Sequence, residues 1–144
     1  MSRASEQSEI EADVLRVTHE LLTSVYRRDT DFYRAHATED MSAYEWFIAP
    51  GRIDGIDFHL HLMNAGGMVG VEEGARVDLL DPRVQIVGSG GDVAVVTFTL
   101  LVTYPAPGAE GGKPAFYSDN QTRVLVREGD TWRMVHFHRS PTHA

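Results

Sequence analysis

The stretch "FYSDNQTRVLVREGDTWRMVHFHR", residues 116–139, decides the fold. Valine, threonine and aromatic residues flank Glu128, Gly129 and Asp130, a combination that reads as two strands joined by a tight hairpin. Two segments of the same character precede it, "ARVDLLDPRVQIVG" at 75–88 and "DVAVVTFTLLVTY" at 92–104. Their separators, "GSGG" and "PAPGAEGG", are hairpin chemistry as well. Four strands in series form an antiparallel meander. "GSGGD" is glycine-rich, but its place between two strands makes it a hairpin rather than a phosphate-binding loop.

The first half reads differently. Ile10, Val14, Val17, Leu21 and Val25 recur three or four residues apart, one apolar stripe on a helix over 10–25. Ser8 and Glu11 have the spacing of a capping box, and residues 1–7 read as disordered. "RRDTDFYRAHA" (27–37) turns at Asp29 and starts a short helix carrying Phe32, Tyr33 and His36. A strand, "MSAYEWF" (41–47), then a turn, "PGRIDG" (50–55), lead to a third helix, "IDFHLHLMNAGG" (56–67), stopped by Gly66 and Gly67. Helices followed by a meander give a single α+β domain spanning 1–144, its helices packed on one concave face of the sheet.

The chain has 144 residues, a length that suits one core. A formal net charge of −8 argues against nucleic acid or an anionic membrane as partner. No cysteine is present, which removes disulfides, thiol catalysis and thiolate metal sites. No run is apolar enough to span a bilayer and the start lacks a signal-peptide core, so a cytoplasmic location is the expectation.

Alternation sorts the strand residues into rows. Trp132, Met134, His136 and His138 share one face of the last strand, opposite Arg133, Val135, Phe137 and Arg139. In the strand before it, Asp119, Gln121, Arg123 and Leu125 fall together. His136 and His138 are two imidazoles on one face, but two ligands do not make a metal site. His59 and His61 diverge by roughly 200° on a helix and cannot share an ion. Neither a metal nor a cofactor is expected.

With these segments in place, the chain resembles the association domain, or hub, of calcium/calmodulin-dependent protein kinase II. "RRDTDFY", "GRIDGIDFHLHLMN", "LLDPRVQIVG" and "TRVLVREGDTWRMVHFHRS" carry the resemblance, in order and with matching spacing, from about Glu11 to Ser140. It implies a cone of the nuclear transport factor 2-like type, shared with ketosteroid isomerases and SnoaL-like cyclases. A curved antiparallel sheet wraps around one long and two short helices. It also implies assembly into a homodimer or a larger ring, and a deep pocket lined by arginines. Carried over residue by residue, that pocket holds Tyr33, Glu45, His59, Arg123 and Arg139. Two positions depart from the family, Leu100 for a third arginine and Gly67 for a tryptophan. The chain has no glycine-rich nucleotide loop, "HRD" or "DFG", so no kinase activity is expected.

The resemblance points to a stand-alone, oligomerising hub-like protein whose pocket binds a small carboxylic acid, with Arg139 and Arg123 as its anchors. The two arginines could instead only neutralise Glu45 or Asp119. Two alternatives stay open. One is an isomerase-like or SnoaL-like enzyme using His59 as general base, with Tyr33 or Asp119 as hydrogen-bond donor. The other is a pure assembly module with a vestigial pocket. With Arg139 facing the pocket, Trp132, Met134, His136 and His138 would form an apolar outer face for a second copy to cover.

Overall fold

A computed structural model describes residues 2–65, 74–104 and 115–143. Three helices, α1 (Arg3–Arg27), α2 (Thr30–His36) and α3 (Ile56–Ala65), precede or interrupt six strands. The strands are β1 (Ala37–Glu45), β2 (Ile53–Asp54), β3 (Arg76–Val87), β4 (Val93–Tyr104), β5 (Ala115–Glu128) and β6 (Thr131–Pro141). They form one sheet in the order β2-β1-β6-β5-β4-β3. The meander from β3 to β6 is antiparallel throughout, as its composition indicates. β1 departs from that pattern by pairing in parallel with β6, which makes the sheet mixed. The reason is topological: β2, α3 and the strands β3 to β5 separate β1 from β6, far more chain than a hairpin needs.

The stripe on α1 is the core contact, with Val14, Val17 and Leu21 buried. The helix itself starts at Arg3, well ahead of the stripe. Ser2 caps it, its Oγ accepting from the Ser5 amide at 3.2 Å. Residues 3–9 are polar helix formers that extend the helix into water where a disordered lead is the sequence expectation. Glu11 accepts from the Gln7 side chain at 3.3 Å, so it does not close a capping box with Ser8. Arg28, in the left-handed region at φ 56°, ends α1, and Asp29 caps α2 by accepting from the Phe32 amide at 3.1 Å. The "PGRIDG" segment holds the two-residue strand β2 before Gly55, at φ 91°, turns the chain into α3. The turn at Gly66 and Gly67 and the "PAPGAEGG" separator lie outside the described residues.

One irregularity changes the outcome of the strand alternation. Val124 pairs with His136, but Leu125 pairs with Met134, so Val135 is an extra residue in β6. A single inserted residue inverts which face the following side chains occupy. Trp132 and Met134 therefore point into the core at 2% and 0% exposure, and beyond the bulge so do Phe137 and Arg139. This corrects the outer-face row, in which Trp132 and Met134 stand beside His136 and His138. Thr97, Thr99, Asn120, Thr122, His138 and Ser140 border a polar groove on the outer face.

Candidate functional site

The sheet's inner face is apolar except at one place. The cone closes there around a cavity of about 20 Å³, room for roughly one water molecule. Every strand or helix around it contributes for a local reason. Tyr33 comes from the inward face of α2, His59 from α3 together with buried Ile56, Leu60 and Met63, and Glu45 from the last position of β1. Arg123 belongs to the β5 row that includes Asp119 and Gln121, all buried. Arg139 follows the β6 bulge. Tyr33, Glu45, His59, Arg123 and Arg139 all line this cavity.

The two arginines are in different states. Arg139 is saturated: Nε donates to Asp119 at 2.6 Å, one terminal nitrogen to Glu45 at 3.1 Å and the other to the Tyr117 hydroxyl at 3.1 Å. Tyr117 in turn donates to Asp119 at 2.6 Å. Burial alone would lower the pKa of Arg139, but Asp119, Tyr117 and Glu45 raise it, so the guanidinium stays charged. Phe47 covers its outer side, with the ring centre 4.9 Å from the guanidinium carbon.

Arg123 has a poorer set of partners. Its Nε donates to Gln121 at 2.9 Å, and its guanidinium lies 4.5 Å from the Phe137 ring centre. Gln121 is held by Asp119, to which it donates at 2.9 Å. Among the described residues no carboxylate lies within ion-pair distance of Arg123, although the residue is only 3% exposed. Desolvation pulls its pKa down to about 10, the reverse of Arg139.

His59 Nε2 lies 2.5 Å from Glu45 Oε1. Burial would raise the Glu45 pKa, but the hydrogen bond with His59 and the two nearby arginines bring it below the ordinary carboxylate value. His59 Nδ1 is buried without a hydrogen-bond partner among the described residues. Tyr33 stacks on His59 with ring centres 6.4 Å apart, and burial raises the pKa of its phenol.

Asp119 accepts hydrogen bonds from Arg139, Tyr117 and Gln121, which engages both of its oxygens. Tyr117, Gln121 and Phe47 belong to the site without being singled out in the sequence. Gln121 already stands in the Asp119 row without a role assigned to it, and extending that row by one step toward the N-terminus would have reached Tyr117. Phe47 lies in a turn, where alternation gives no signal. Leu100, at the position of the family's third arginine, is fully buried in β4 opposite Asp119. Gly67 lies outside the described residues. On the outer face, His136 Nδ1 is 2.8 Å from Ser42 Oγ and the Tyr44 ring touches both His136 and His138. Among the described residues no three His, Cys, Asp or Glu side chains converge as metal ligands.

Known proteins share this arrangement of helices and sheet. The family model "Calcium/calmodulin dependent protein kinase II association domain" matches residues 10–143. The calcium/calmodulin-dependent protein kinase type II subunit delta of Oryctolagus cuniculus is 28% identical over 130 residues, 89% of this chain. The chain spans 23% of that relative's length. The solved association domain of the C. elegans kinase superposes with a TM-score of 0.77 at 26% identity, covering 94% of this chain and 98% of that one. A nuclear transport factor 2-like protein from Salmonella enterica shares the fold, with a TM-score of 0.70 at 18% identity over 96% of this chain and 94% of that one.

Proposed function

The chain belongs to the calcium/calmodulin-dependent protein kinase II association-domain family, and on that premise we propose that it is an oligomerising hub-like protein whose cavity binds a small carboxylic acid. Arg123 carries the reading. It is a guanidinium buried to 3% exposure, with no ion-pair partner among the described residues, on the wall of a cavity. A buried guanidinium that no carboxylate touches directly is poorly solvated, and a ligand carboxylate supplies close, charge-assisted hydrogen-bond acceptors. Arg139 plays a supporting part, because Asp119, Glu45 and Tyr117 already occupy it. The cavity holds about one water molecule, so even formate or acetate requires flexible neighbours such as Met63 to move.

Calorimetry with a series of small carboxylic acids tests this. Arg123→Met keeps the apolar stem and removes the charge, and it should weaken acid binding by about one to two powers of ten. If no acid binds, or the variant binds as tightly as the wild type, the pure assembly module becomes the better account. Self-association is checked independently by light scattering on gel-filtered protein. A dimer or larger species is expected at micromolar concentration, and a single-chain mass would overturn that part.

One observation favours a second, enzymatic reading. Glu45 orients His59, a residue of the cavity lining, through Nε2 and leaves the buried Nδ1 without a partner among the described residues, the arrangement of a general base held by a carboxylate. Deuterium exchange next to the carbonyl of small oxo acids, followed by NMR, would reveal such activity. No exchange above the buffer rate removes it.

A further inference from the structure

Four formal charges lie on the cavity wall or directly behind it, and with a neutral His59 imidazole they cancel. Arg123 and Arg139 contribute two positive charges from β5 and β6, and Glu45 and Asp119 two negative charges from β1 and β5. A small carboxylate entering such a place brings one negative charge too many into a region largely shielded from water. An uncompensated buried charge is strongly disfavoured, so something must balance it.

The groups facing the cavity leave one candidate. Tyr33 of α2 and Tyr26 of α1 both have their phenol pKa raised by burial, so they stay neutral and have no proton to accept. Asp119 is locked to Arg139 and Tyr117, and Glu45 to Arg139 and His59. Asp57, two residues before His59 on the same helix, is exposed and lies 3.9 Å from Arg34 outside the cone. His59 is different. Its ring is held at Nε2 by Glu45, while the buried Nδ1 has no partner among the described residues.

Resting on the reading of this cavity as an anion site, we propose that a small carboxylate enters together with a proton, which His59 takes on Nδ1. The proton comes from solvent, the new bond is Nδ1–H, and nothing else is made or broken. The imidazolium restores the sum of charges to zero and supplies the missing donor for a ligand oxygen. It keeps its Nε2–H on Glu45. The cavity thereby takes up the equivalent of the neutral acid.

The test is calorimetric titration of the intact protein with formate at one pH in phosphate and in Tris, whose heats of ionisation differ. About one proton should be absorbed per formate bound, and the formate Kd should rise about tenfold per pH unit wherever coupling is complete. Formate binding with no proton uptake overturns this proposal and leaves the anion site standing. No formate binding at all overturns the anion site, and this inference with it. In His59→Gln the uptake should vanish; uptake that persists assigns the proton elsewhere and overturns the role of His59. Should that variant fail to fold, the ring nitrogen shifts of His59 in the wild type decide instead. Formate should move them to the imidazolium pattern, and unchanged shifts overturn the proposal.

Discussion

Arg139→Ala should unfold the protein more than it empties the cavity. The Asp119 and Glu45 side chains are fully buried, and Arg139 is the cation within hydrogen-bonding distance of both. Removing one partner of a buried ion pair costs about 3–5 kcal/mol, a large share of the 5–15 kcal/mol typical of a domain. The urea midpoint should fall accordingly; a change below about 1 kcal/mol, the range of exposed pairs, would show that the network is not structural. The acid limb should move as well. Burial works against ionised Glu45, but His59 and the arginines hold its folded pKa below the unfolded value. Its contribution to stability is therefore present above the unfolded pKa and lost as pH falls through the folded one. Without Arg139 that depression shrinks, so acid unfolding should begin at a higher pH.

Trp132→Ala is the second large effect. Trp132 is 2% exposed and packs in the core cluster with Met134 and the α1 stripe. Truncating a buried tryptophan costs about 3–5 kcal/mol. The folded fraction should nevertheless keep the wild-type assembly state, because the side chain points away from any neighbour. Denaturant unfolding together with light scattering separates the two effects. A stable variant that dissociates would place Trp132 on an interface and overturn the strand phase described above.

The fate of Trp132 also shows where the sequence stops being informative. The meander is legible because separators such as "GSGG" and "EGD" interrupt β-rich runs. The Asp119, Gln121, Arg123 and Leu125 row is legible because β5 keeps strict alternation through them, and all four are buried. β6 breaks the rule at Val135, where no glycine or proline marks the bulge; the extra residue is visible only against its paired strands. Alternation put Arg139 and Phe137 on one face correctly, since both follow the bulge, and misplaced Trp132 and Met134, which precede it. The contrast between the arginines was not legible either. Which of them meets Asp119 depends on β5–β6 register, with Gln121 opposite Arg139 and Arg123 opposite Phe137. The start of α1 was missed for another reason: a helix end that buries nothing leaves no apolar signature.

The parallel pairing of β1 with β6 has a consequence for how the protein is made. Glu45 and Arg139 are 94 positions apart. At translation rates of about 5–20 residues per second, that separation lasts roughly 5–20 s. Throughout that interval β1 is synthesised and waiting, while the strand it pairs with in parallel does not yet exist. Glu45, destined for burial, must stay hydrated until its arginine emerges.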